Sequence, residues 1–358
     1  MTDNEKELYT REILSAPEAP VINSIPQFGT FKGRFNKFSI KGLKRPFGNL
    51  PIPKFITNSR VHSSMTLSFC SPEIIGDIIF FSSQMYSFME LVYWQLDNNK
   101  KYAYRQLLPY GFIHLPNRLG YNITSCRTRR RYLRVLSRLS QGTLHADIDF
   151  LGSGDRPSCE ARLDVDAKAK DFAEISAVIP RYVNKRCEAS YTFTAPVSGW
   201  LSANYFKDLT LPKDLSVALF DYRKAYYGYR TQRLMVTGMG RIDGKIVSFQ
   251  ILSSIAPDSY NHNDNILFVD GKVTPLPPVK ITMPYGKEKQ WNIQDTEGMI
   301  DLIFTPKSIH NRHTAIFFLR ANYDVIYGTF EGSLLTSDGT ELKILNHLGF
   351  AKKRRFRF

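Results

Sequence analysis

Asp221 opens the densest polar stretch of the chain. Between Leu219 and Arg230 one acid, three bases and four tyrosines crowd together. A tyrosine pairs an apolar ring with a polar tip, which suits the lining of a small-molecule pocket. Such a pocket would draw on Asp221, Tyr222, Arg223, Tyr226 and Tyr227. If it hydrated an alkene or closed a ring, it would need a carboxylic acid of raised pKa and aromatic faces to steady a cation. Asp221 is the acid on offer, with Tyr222, Tyr226 and Tyr227 as walls. The plainer reading of Asp221 beside Arg223 is an ion pair plugging a barrel rim.

Other catalytic patterns are missing: there is no G-x-S-x-G elbow, no phosphate-binding P-loop and no H-E-x-x-H. Gly238-Met239-Gly240 lacks the third glycine of a dinucleotide fingerprint and runs into a hairpin, so it reads as structural. His310 and His313 have the spacing of metal ligands on a helix, but Pro306 and Lys307-Ser308 place them on a loop. No metal and no cofactor is expected. Cys70, Cys126, Cys159 and Cys187 form no C-x-x-C motif, so they read as separate thiols of a reducing compartment.

The elements that carry these residues read as β. Asp243-Gly244, Asp270-Gly271 and Asp338-Gly339 each lie between apolar runs and supply the positive φ angles of tight hairpins. Val247, Phe249 and Ile251 alternate, as do Leu342 with Ile344 and Tyr191 with Phe193. Ser83 to Leu96 fits either a helical stripe or a strand. Its aromatic and β-branched content favours the strand. Residues 1–60 read as an extended arm broken by prolines and glycines, with phenylalanines set among the bases. It either wraps its own domain or lies along a partner.

The 358 residues carry 48 Lys and Arg against 33 Asp and Glu, a net charge of +15. Such an excess speaks about partners rather than fold. Between Phe31 and Arg60 stand Lys32, Arg34, Lys37, Lys41, Lys44, Arg45, Lys54 and Arg60, with no acid. Arg127, Arg129, Arg130 and Arg131 belong to a second cluster that continues to Arg134 and Arg138. The end of the chain holds Lys352, Lys353, Arg354, Arg355 and Arg357. The tri-arginine run would suit phosphates, but no zinc finger, RNA-recognition signature or recognition helix accompanies it. No apolar run reaches the ~18 residues of a membrane span, and the polar N-terminus is unlike a secretory signal. A cytoplasmic location is expected, with a cytoskeletal or ciliary variant.

The sequence resembles a bacterial group known only as a domain of unknown function, which is more distantly similar to the lipocalin-like two-barrel proteins of carotenoid hydratases and tocopherol cyclases. The resemblance rests on Ala218-Leu219-Phe220-Asp221-Tyr222, Gly238-Met239-Gly240-Arg241-Ile242-Asp243-Gly244-Lys245 and Asp264-Asn265 through Asp270-Gly271-Lys272. It continues through Phe304-Thr305-Pro306, Tyr327-Gly328-Thr329-Phe330-Glu331-Gly332 and Leu348-Gly349-Phe350-Ala351. It is clear over residues 178–351 and weak before 178. It adds Asn265 to the pocket candidates. The departures fall on polar positions. A Gly-Arg-Gly of the group is here Arg223-Lys224-Ala225, an Asn-Trp falls near Leu234-Met235, a His becomes Asp324, and terminal acids become Lys352-Lys353.

The expectation is an all-β chain of two lipocalin-like (calycin-type) barrels or strongly curved antiparallel sheets, with an extended N-terminal arm. The arm spans 1–60, the first barrel 61–210, and the second barrel 211–358 with a basic C-terminal tail. The first functional reading is a non-catalytic structural protein, a divergent relative of an enzyme group. It would dock through Lys32, Arg34, Lys37, Lys41, Lys44, Arg45, Arg127, Arg129, Arg130, Arg131, Lys352, Lys353, Arg354 and Arg355 on an acidic assembly, a tubulin polymer such as a ciliary doublet or else RNA. The alternative is a lipophilic-ligand binder or isoprenoid-type hydratase or cyclase using the barrel pocket.

Overall fold

The computed structural model describes the chain except residues 1–7, 50–51, 155, 182–185, 204–207, 229, 317–318 and 358. It is almost all-β, built as two strongly curved antiparallel sheets. In spatial order the first runs Lys101–Pro109, Tyr86–Gln95, Ile74–Ser82, Val61–Cys70, Val217–Tyr226, Cys187–Ala203, Cys159–Asp166, Thr143–Phe150, Arg131–Arg138 and Asn122–Arg127. The second runs Lys272–Pro275, Ile266–Val269, Lys245–Leu252, Arg230–Ile242, Glu341–Arg357, Leu319–Leu335, Ile300–Ile316, Trp291–Asp295 and Val279–Thr282. A bridge between Ser253 and Val279 brings its last strand back toward its beginning.

Among the described residues three large cores hold the molecule, with a small fourth cluster of Ala177, Ile179 and Ile255. One fills the first barrel, around Phe69, Phe80, Tyr93, Phe193 and Tyr222. One fills the second, around Phe249, Trp291, Phe304 and Phe330. The third lies between the sheets, where Ile75, Ile79, Trp94 and Leu219 meet Met239, Phe268, Tyr327 and Phe350. Strands serving an inner and an inter-sheet core at once are apolar on both faces. That is why Tyr86–Gln95 is buried at all ten positions and shows no clean alternation. It is a strand, as its residue types favour.

Asp243-Gly244 and Asp270-Gly271 have positive φ at both residues, the type I′ geometry expected. Only Gly339 does so in the third pair. There Gly339 N–H donates to Thr336 O and Thr336 N–H to Thr340 O. This is a three-residue loop, a type I turn followed by a left-handed glycine.

Three expectations are corrected, and one alternative left open is decided. Val217–Tyr226, read with the second barrel from residue 211, pairs in the first sheet with Val61–Cys70 and Cys187–Ala203. His310 and His313 lie on a strand, not a loop, because a bulge between Pro306 and Ser308 lets the ladder continue. The basic C-terminal end is no free tail: Lys352 to Arg357 pair with both Arg230–Ile242 and Leu319–Leu335. The arm, open between two readings, wraps its own domain. Gly29–Lys32 pairs with Ala173–Pro180, and Phe31, Phe35 and Phe38 enter the first core.

The four cysteines are free and buried. Burial pushes the thiol of Cys70 up to about 12. No helix among the described residues is long and apolar enough to cross a membrane.

Candidate functional site

The period of two on Val217–Tyr226 divides the pocket candidates. Tyr222 and Tyr226 point into the first barrel and belong to its core. Tyr226 O–H donates to Ile40 O at 3.0 Å, and Tyr222 O–H to Pro116 O. Lys224, on the same face, donates to Pro116 O and to Asn117 Oδ1. Asp221 and Arg223 point the other way, into the contact between the sheets. Asn265 is buried and accepts from Leu252 N–H at 2.8 Å and donates to Pro277 O at 2.8 Å, clamping a loop to the second sheet.

Asp221 and Arg223 sit in a buried ionic network. Arg223 forks onto Asp221, with Nη2–Oδ1 2.8 Å and Nε–Oδ2 3.2 Å. Thr192 and Gln250 also donate to Asp221 Oδ1. Arg223 Nη1 meets Glu188 Oε1 at 2.6 Å and reaches Asp264 across the sheets. Arg233, from the second sheet, crosses back to Glu188, which Arg181 also contacts at 3.0 Å. Burial pushes the carboxyl of Asp221 up, but Arg223, with Arg354 and Arg233, overcomes it and holds the group below its ordinary pKa. Glu188 is likewise held well below, because Arg233, Arg181 and Arg223 together overcome its burial. Asp221 is therefore an ionised partner of Arg223, the opposite of a raised-pKa proton donor.

A crevice opens beside this network. Phe81, Tyr86, Phe88, Tyr227, Tyr323 and Phe356 supply apolar walls, while Arg181, Arg233, Arg312, Arg354 and Arg355 also line it. Its cavity volume is about 50 Å³. That admits a few waters and is far from a hollow barrel, so a ring-sized guest would lie partly outside it. The guanidinium of Arg312 lies between two rings, 4.5 Å from the Phe88 centroid and 4.4 Å from Tyr323. Arg354 stands 4.7 Å from Tyr323 and donates to its hydroxyl at 3.3 Å. Arg312 Nη2 pairs with Glu90, which also meets His310 Nε2 at 3.2 Å. Burial raises the pKa of Glu90, but Arg312 and His310 bring it below its ordinary value. Arg312 Nε and Nη1 are buried and have no hydrogen-bond partner among the described residues. His62 stacks on Tyr227 at 4.3 Å. Burial, then Arg181 and Arg60, lower its pKa to about 3, so its ring is neutral.

The docking residues divide as well. Lys32, Lys37, Lys41, Lys44 and Arg45 are exposed along the arm, and Arg34 is half-buried. Arg127, Arg129 and Arg130 stand exposed at a hairpin tip, whereas Arg131 folds back to donate to Arg105 O. Lys352 is not offered to any partner: it is buried and pairs with Asp77 of the first sheet at 2.7 Å. Lys353 is half-buried opposite Asp324, while Arg355 is exposed at the mouth of the crevice. Sequence reasoning missed Glu90, Glu188, Arg233, Asp264 and Arg312. The available signal was a lone charge inside an apolar run, as at Glu90 and Asp77, which must be paired once buried. Among the described residues no group of three His, Cys, Asp or Glu side chains gathers to hold a metal.

Residues 70–358 match a family described as a domain of unknown function, DUF2804. The chain belongs to this family. No curated protein matches it. Among solved structures it is similar to kievitone hydratase from Nectria haematococca, with 10% identity, a TM-score of 0.44, and coverage of 82% of this chain and 88% of that one. It is similar to CghA, with 12% identity, a TM-score of 0.47, and coverage of 83% and 88%. It is similar to a protein assigned as AttH from Nitrosomonas europaea, with 11% identity, a TM-score of 0.48, and coverage of 86% and 97%. At these scores no residue correspondence follows.

Proposed function

We propose that this DUF2804 protein binds a small organic anion with a flat apolar body in the crevice between its two barrels. One observation carries the reading: Arg312 is buried between Phe88 and Tyr323 with Nε and Nη1 lacking a hydrogen-bond partner among the described residues, beside Arg354, which donates to the Tyr323 hydroxyl. Buried donors gain most from an ionised acceptor. Aromatic faces flanking a guanidinium accept a flat ring. The alternative read from sequence thus survives as ligand binding, moved from the barrel interior to the space between barrels. Alkene protonation by Asp221 loses its support, because Asp221, Glu188 and Glu90 are all held ionised. Nothing in the fold or the comparisons supports tubulin or RNA as a partner.

The test is calorimetric titration with cinnamate and with cinnamamide, which share a flat body and differ in charge. The proposal expects cinnamate to bind at least about tenfold more tightly. Equal affinities, or no heat from either, would count against it.

A further inference from the structure

A second surface lies on the arm and shares no lining residue with the crevice. No Asp or Glu occurs between Glu18 and Glu73, while Lys32, Arg34, Lys37, Lys41, Lys44, Arg45, Lys54 and Arg60 do. The fold gathers part of this run into one place. Lys44 N–H donates to Ser24 O at 3.1 Å, and Gly42 N–H donates to Asn58 Oδ1 at 3.2 Å. Ser24, Lys44, Arg45, Lys54 and Thr57 consequently border one shallow depression. Its neighbours in sequence are bare apolar side chains. Phe55 is 75% exposed, Ile25 61% and Ile56 43%. Buried rings such as Phe35 and Phe38 show that the arm has a place for its apolar groups, and these three are left outside it.

We propose that this face is a peripheral attachment site for an anionic lipid bilayer. Exposed Lys41, Lys44, Arg45 and Lys54 would meet the lipid phosphates and carboxylates, and Phe55 and Ile56 would enter the interface. Clustered bases with an adjacent apolar tip suit a charged bilayer, which offers counter-charge and hydrocarbon together. A nucleic acid offers no hydrocarbon for Ile25 and Ile56. The inference is independent of the crevice: it uses none of the residues lining it.

The experiment is co-sedimentation of the full chain with vesicles of phosphatidylcholine alone and with about one third phosphatidylserine, at low and high salt. Expected is sedimentation with the anionic vesicles only, reversed by salt. Each base near an anionic leaflet strengthens binding about fivefold, so Lys44→Glu with Lys54→Glu should weaken it at least about 25-fold. Phe55→Ser with Ile56→Ser should also weaken it, while leaving cinnamate binding as in the parent chain. All four positions are exposed, and unchanged thermal melts would show the variants folded. No sedimentation with anionic vesicles would overturn the proposal. So would equal binding to neutral vesicles, indifference to either double substitution, or capture of polyuridylate in place of vesicles.

Discussion

A buried charge is defined by what faces it, and Asp221 faces Arg223, Thr192 and Gln250. Removing one member of such a pair strands the other. Asp221→Asn should therefore lower stability by about 3 kcal/mol in urea unfolding. A neutral result would mean that the network does not hold the sheets together. The buried imidazoles give a second prediction. Burial, then Arg181 and Arg60, lower the pKa of His62 to about 3, and burial lowers that of His347 to about 4. Between those values and the ordinary ~6.5, the unfolded chain takes up protons that the folded chain refuses. Stability is thus full above about pH 6.5 and falls as the medium is acidified. His62 alone accounts for about 1.5 kcal/mol between pH 6.5 and 5. The carboxylates held low contribute in the same direction, but only below about pH 4.5. His62→Phe, which keeps a ring against Tyr227 and Phe356, should flatten the upper part of the profile. An unaltered slope would show that His62 is not a neutral buried ring.

Strands and turns were legible in the sequence to the degree that water touches them. Cys159–Asp166 alternates buried with less buried positions along its whole length, so period two marks it clearly. Tyr86–Gln95 touches no water on either face, and alternation vanishes. Nor does any local pattern tell which sheet a strand joins, so Val217–Tyr226 was read into the wrong one. The site shows the same limit. Asp221 and Arg223 stand two apart and are visible as a pair, whereas Glu188, Arg233 and Asp264 reach them only through the fold. The glycines of the hairpins offer a graded test. Gly244 has φ +78° and open space around a Cβ, so Gly244→Ala should cost about 1–2 kcal/mol from backbone strain alone. Gly271 has φ +80°, and its Cβ would stand 2.7 Å from Lys170 O, so Gly271→Ala should cost at least about 1 kcal/mol more. Thermal melts that rank the two the other way would refute this assignment of turn and contact.

The whole molecule is two packed barrels joined through a third core and by charge pairs that cross it: Lys352 with Asp77, Arg312 with Glu90, Arg233 with Glu188 and Arg223 with Asp264. Such a contact couples the barrels, so Trp291 in the second core and Trp94 between the sheets should report one coincident unfolding transition. Two separated transitions would make the barrels independent. The same contact makes the crevice, and the central claim is that a ligand lodges there and not inside a barrel. Fluorine NMR of protein carrying 3-fluorotyrosine tests this most directly, with signals assigned by single Tyr→Phe changes. On titration with cinnamate, the signals of Tyr323 and Tyr227 should shift together while those of Tyr222 and Tyr226 stay fixed. Shifts confined to Tyr222 and Tyr226 would put the ligand inside the first barrel and contradict the claim.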